Sequence, residues 1–279
     1  MLLTFITRYS ILSKQLATGW AIGRQNYPRY RQKLFLPQRL QLHQHLFQTV
    51  TLPSVIQQNL EGIDNITVKH LVITSKALPE PFKSNLYQLA EQHHQLDIIE
   101  MAQNSVNLAN IINRYTKQHA TKGDFVVTVR LDDDDALSRN YCSQLSKYVR
   151  RLNIGYSISL GKGVAAIVST EPNPHFSAFK SYYYPKIAIG LAYINFLNKR
   201  GILSVRGQNI FTQGAHTKVD TTSPTILDSR EYHFMRLFHP QSDTFQRHIK
   251  AINRLSALSL EQVNEHFFID SNMPYQPQE

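Results

Sequence analysis

One cysteine, Cys142, is all the chain has in 279 residues, so an intrachain disulfide is excluded. Stability must come from a packed core, and a 42% hydrophobic content with 10% aromatics supplies one. That composition also excludes a disordered chain. No apolar run is long enough to cross a bilayer. The opening "MLLTFITRYSILSK" meets Arg8 and Lys14 too early for a secretory signal. These absences predict a soluble, cytoplasmic protein. Acid is missing as well. Residues 1–60 carry Arg8, Lys14, Arg24, Arg29, Arg31, Lys33 and Arg39, and the first acidic residue is Glu61. An organellar transit peptide would share that bias, but the segment runs into folded-looking sequence without a break. Within a net charge of +10, this acid-free stretch points to an anionic partner: nucleic acid, lipid headgroups or a phosphorylated substrate.

Short apolar runs alternate with helical spacing through the first half. Strands are predicted at 2–7, 68–75, 96–101 and 124–131, and helices at 38–49, 53–60, 79–95 and 104–119. This is the pattern of an α/β fold with a mostly parallel sheet flanked by helices. Such sheets bind ligands beyond the carboxyl ends of their strands. Further on, 136–152 reads as a helix, 155–169 as two strands around a Gly-Lys-Gly turn, and 177–198 as partly helical. Residues 231–238 and 244–258 are expected to be helices, and the tail 266–279 to be disordered.

At the end of the fourth strand stands "VRLDDDDAL", with four consecutive carboxylates, Asp132 to Asp135. Such charges repel and call for a cation between them. Helix capping accounts for Asp134 or Asp135 but not for the whole run. On extended backbone, Asp132 and Asp134 would point one way and Asp133 the other. Mg²⁺ or Mn²⁺ suits such ligands. An EF-hand is excluded, because Leu137 and Ser143 stand where its Gly and Glu would be.

The aspartate run resembles the Asp-x-Asp motif of GT-A-type glycosyltransferases. Together with "TRYSIL" (7–12), "LFQTVTLPSVIQQ" (46–58), "LVITSKALP" (71–79) and "FMRLFH" (234–239), in that order, it is similar to the bacterial putative rhamnosyltransferase family. The resemblance covers roughly residues 1–250. It implies one GT-A-like domain over 1–265, the nucleotide-diphospho-sugar transferase fold, with a nucleotide-binding half (1–135) and an acceptor-side half (136–265). It implies sugar transfer, rhamnose by the family name, from a nucleotide-diphosphate donor to a cell-surface polysaccharide or glycolipid. A divalent metal, Mn²⁺ or Mg²⁺, would be held by Asp132, Asp134, Asp135 and His239. His216 competes for the histidine's place, because Phe234 and Pro240 depart from the family pattern. Thr7, Arg8, Arg130, Asp132 and Asp133 would meet the nucleotide or its phosphates. An inverting transfer also needs a base. Asp228, in "ILDSREYHF", is the first choice ahead of Asp220 and Glu231. Acceptors of this kind suggest peripheral contact with the anionic inner face of the membrane.

A rival reading is a basic single-stranded nucleic-acid binder or metal-dependent nuclease. Its support is the interleaving of cations and aromatics in "FKSYYYPKIAIGLAYINF" (179–196). Nuclease carboxylates usually come from separate strands, and no nucleic-acid motif is present, so no nucleic-acid partner is expected.

Overall fold

Continuous apolar strands are stable only when both faces are covered, and the first half of the chain meets that condition. The computed structural model describes residues 1–13, 26–102, 107–242 and 245–276. Lys14, Arg24, the expected helix start at 104 and residues 277–279 lie outside them. The elements in order are β1 (Leu2–Tyr9), α1 (Tyr27–Leu34), α2 (Pro37–Leu46), a π-helical turn (Phe47–Thr51), α3 (Leu52–Ile56), β2 (Thr67–Ser75), α4 (Phe82–Gln92), β3 (Leu96–Met101), α5 (Leu108–His119) and β4 (Asp124–Leu131). Next come β5 (Ala136–Leu137), α6 (Tyr141–Ser146), β6 (Ser157–Leu160), β7 (Lys162–Ser169), β8 (His175–Tyr183) and β9 (Ala192–Leu197). The last are β10 (Thr225–Asp228), β11 (Phe234–Phe238), α7 (Phe245–Ile252), β12 (Ala257–Leu258) and α8 (Leu260–Asn264).

Seven strands form the main sheet in the order β10-β6-β9-β4-β1-β2-β3. The run from β4 to β3 is parallel, β9 is antiparallel to both its neighbours, and β10 is parallel to β6. Strand alternation sorts the side chains. Ile6, Leu71 and Ile73 pack under Leu108, Ile112 and Tyr115 of α5. Tyr9 and Val72 pack against Leu40, Phe47, Phe82 and Leu86 on the opposite helical layer. The mostly parallel α/β sheet with helical layers is therefore as expected.

The second half departs from expectation. A five-stranded sheet, β12-β8-β7-β11-β5, stands beside the first. The segments expected to be helical at 177–198 and 231–238 are instead strands β8, β9 and β11. Short apolar runs do not distinguish a buried strand from a buried helix. All six residues of β9 are buried, so this segment presents no open aromatic face to a nucleic acid. The Gly-Lys-Gly segment is not a hairpin, because β6 and β7 belong to different sheets. A Cβ on Gly163 would lie 2.3 Å from the Phe234 carbonyl oxygen, so this glycine permits the close approach of β7 to β11. One core cluster draws on both sheets, joining Val127, Val129 and Ile194 to Ala165, Phe234 and Phe238.

The chain from 266 to 276 is not the disordered tail expected. Phe267 and Met273 are buried, and Tyr275 bridges to Phe176. Both buried residues join Phe176, Phe179, Met235 and Leu237 in the second sheet's core. Phe267→Ala should therefore cost about 3–5 kcal/mol, the range for emptying a buried aromatic site. Denaturant unfolding of the full chain checks this, since removal of a disordered side chain would leave the midpoint unchanged.

Candidate functional site

β4 ends at Leu131, and Asp132–Asp135 form the turn that leads to β5. The run is therefore not extended, and strand alternation does not govern where Asp132 and Asp134 point. Helix capping does not hold either. The next helix starts at Tyr141, and its N-cap is Asn140. Each aspartate instead has its own partner.

Asp132 lies 3.7 Å from both Arg8 and Arg130, delivered by adjacent parallel strands. Both guanidiniums lie over the Phe211 ring, at 5.4 and 5.8 Å. Burial and the nearby Arg130 lower the Arg8 pKa to about 10, with Asp132 and Asp133 opposing, so Arg8 remains charged at neutral pH. Buried Asp133 places Oδ1 3.1 Å from Nδ1 of His43 on α2. Asp134 accepts from Nε2 of the fully buried His239, at 3.0 Å. Burial pushes the Asp134 carboxyl up. The hydrogen bond from His239 and the fields of His43, His239 and Arg39 outweigh that and hold it below the usual carboxylate range. Asp135 turns inward and accepts the Leu237 N–H of β11 at 2.9 Å. Burial first, then the charges of Asp134 and Asp132, push its carboxyl well above the ordinary value, favouring the neutral acid.

Arg8, His43, Arg130 and the four aspartates line one cleft with Arg39, His216, Arg236 and Gln241, and the fully buried His239 touches it only through Asp134. Potential ligand atoms of His43, Asp134 and His239 all lie within 4.8 Å of one another. His43 Nε2, His239 Nδ1, Asp133 Oδ2 and Arg130 Nε are buried without a hydrogen-bond partner. The four arginines of the cleft suit a ligand rich in oxygen acceptors, and the His43–Asp134–His239 group can receive a cation.

The structure brings Arg8, Arg130 and all four aspartates to the cleft and sets His239 against Asp134. His216, the rival histidine, lines the cleft too, and its Nδ1–H donates to the Lys186 carbonyl at 2.7 Å. Thr7 does not reach the cleft. It is fully buried in β1, 2.8 Å from Nε2 of His70. Asp228 is no candidate base. It ends β10 at the edge of the main sheet and accepts from Gln144 at 2.5 Å, Tyr148 at 2.6 Å and the Arg230 side chain at 2.9 and 2.8 Å. Among the described residues, Asp132–Asp135 are the only carboxylates lining the cleft. Sequence reasoning missed Arg39, His43 and Arg236. A signal for His43 existed: it lies three residues from both Leu40 and Leu46, on the buried face of α2.

The family described as "Putative rhamnosyl transferase" matches residues 3–251. No curated protein matches. Among solved structures, S. aureus TarS 1–349 is similar at 10% identity and a TM-score of 0.39, over 85% of this chain and 60% of that one. The mannosyltransferase PcManGT from Pyrobaculum calidifontis, in complex with GDP-Man and Mn²⁺, is similar at 15% identity and a TM-score of 0.43, over 92% of this chain and 65% of that one. TarS 1–349 in complex with UDP is similar at 10% identity and a TM-score of 0.38, over 85% and 60%. The chain thus spans 60 to 65% of the length of these relatives.

The bonds at Asp228 generate a prediction. The Arg230 hydrogen bonds, with those from Tyr148 and Gln144, overcome burial and hold its carboxyl below the usual range. Asp228→Asn should lose about 1–3 kcal/mol at pH 7. A depressed native pKa gives stability that is complete above the unfolded pKa and is lost as pH falls through the native one. The gap between wild type and variant should thus shrink as pH drops below about 4. Denaturant midpoints across pH 2–7 test this, and turnover per folded molecule should be unchanged.

Proposed function

Because the chain belongs to the putative rhamnosyl transferase family, we propose that it is a glycosyltransferase that takes its sugar from a nucleotide-diphosphate donor with the help of a divalent cation. The acceptor in this reading is a hydroxyl of a saccharide or glycolipid. The observation that carries the proposal is the cleft beyond β1 and β4, where Asp134, held from behind by His239, shares a wall with Arg8, Arg39, Arg130 and Arg236.

The residues fit a cation. Asp134 is held in its ionised form, and His239 offers Nε2 once that nitrogen gives up its proton. When bound, the cation would supply Lewis-acid stabilisation of the departing diphosphate. The chain's own side chains perform the rest. Arg8 and Arg130 present guanidinium donors suited to phosphate oxygens. Asp132 and Phe211 keep those two guanidiniums aligned, and Asp132 has an exposed edge free for a ribose hydroxyl. Asp133 acts through His43 and not by touching the nucleotide. Asp135, fixed on Leu237, anchors the aspartate turn to β11 and is not a ligand.

The donor nucleotide is assigned to the 1–135 side and the acceptor to the 136–265 side. The cleft draws on both: Arg8, Arg39 and the aspartates come from the first, His216, Arg236 and Gln241 from the second. Helix α1 carries exposed Arg29, Arg31 and Lys33, while its Tyr30 and Leu34 line the cleft. This supports contact between the cleft rim and anionic headgroups. No helix among the described residues is long and apolar enough to cross a membrane.

In a thermal-shift screen, a nucleoside diphosphate with Mn²⁺ should raise the melting temperature and either alone should do less. The gain at a hundred times Kd corresponds to about 2.7 kcal/mol. Asp134→Ala should abolish the response while its circular dichroism stays native. No response to any nucleotide, together with tight, salt-sensitive binding to single-stranded oligonucleotides, would overturn the proposal.

A further inference from the structure

We propose that His43 is a third protein ligand of the cation and that Asp133 is the residue that positions it. This rests on the metal reading above and adds to it a ligand from α2.

His43 is only 4% exposed, and its two ring nitrogens face different partners. Nδ1 lies 3.1 Å from Asp133 Oδ1. A carboxylate can only accept, so Nδ1 is the donor, and in the neutral ring the lone pair is on Nε2. That Nε2 is buried without a partner. A purely structural bond to Asp133 would account for Nδ1 and leave Nε2 unexplained, at the cost of a buried polar nitrogen without a partner. The location of the ring accounts for both. His43 offers a ligand atom within 4.8 Å of those of Asp134 and His239, and its ring meets the His239 ring edge-on at 5.5 Å. A carboxylate holding one nitrogen of an imidazole while the other binds metal is the common outer-shell arrangement. Leu40, Leu46 and Phe47, all buried, fix α2 and limit the ring's freedom to turn away.

The donor set is then two imidazole nitrogens and one carboxylate oxygen, drawn from α2, the β4–β5 turn and the end of β11. Mg²⁺ prefers oxygen, whereas imidazole suits later, softer ions. The site should therefore favour Mn²⁺ over Mg²⁺.

The test uses the full chain and Mn²⁺ alone, with no sugar donor. Free Mn²⁺ is followed by electron paramagnetic resonance during titration, and bound Mn²⁺ by electron spin-echo modulation, which detects directly bonded imidazole nitrogen. Wild type should show coupling to two histidine nitrogens, and Mg²⁺ should displace Mn²⁺ only at higher concentration. His43→Ala should lose one coupling and weaken binding by at least about tenfold. Asp133→Ala should keep both couplings and weaken binding about 10–100-fold. Asp133→Asn, whose amide oxygen can still accept from Nδ1, should recover part of that loss. A wild-type spectrum with a single nitrogen overturns the proposal without any variant. So does unchanged affinity in a folded His43→Ala, and if Asp134→Ala still abolishes binding, the metal reading survives. No Mn²⁺ binding by wild type overturns both.

Discussion

Four carboxylates in sequence repel one another, and the fold resolves that repulsion by giving each a different partner. Asp132 takes two arginines from the central strands, Asp133 a histidine from α2, Asp134 a histidine from beyond β11, and Asp135 a backbone N–H. The segments that must meet for this to happen are β1, α2, the β4–β5 turn and β11. The cleft is what their meeting leaves open. Most of the charges that hold the turn in place therefore also line the cleft.

The first half of the fold was legible because its strands and helices carry distinct periods. β2, β3 and β4 fall within a residue of expectation, and Arg8 and Arg130 each stand one residue before the end of β1 and β4. The helices expected separately at 38–49 and 53–60 are joined, because the chain stays helical from Pro37 to Ile56 through a π turn. The second half was not legible, since short buried runs such as β9 carry no period of their own. Site errors had local causes. The alternation argument for Asp132 and Asp134 assumed extended backbone, but the strand stops one residue earlier. Thr7 was chosen beside Arg8, yet neighbours on a strand point to opposite faces. Asp228 has a closer partner two residues away in Arg230.

His43 was invisible for a different reason. It lies 90 residues from Asp133, and a lone histidine on an apolar helical face usually reads as part of the core. Only the approach of α2 to the carboxyl end of β4 gives it a polar partner. Arg39 lies one helical turn before it on the same helix and lines the same cleft. One short helix thus contributes both an imidazole and a guanidinium to a site whose most legible sequence signal lies elsewhere.

Gly163 shows how far such dependence reaches. β7 approaches β11 so closely at Phe234 that no side chain fits between them. Five residues later, just past the end of β11, His239 meets Asp134. The histidine's position is thus set by an absent methyl group on a neighbouring strand. A lesion at Gly163 displaces the imidazole by shifting its strand, so sensitivity to substitution here extends well beyond the residues that line the cleft.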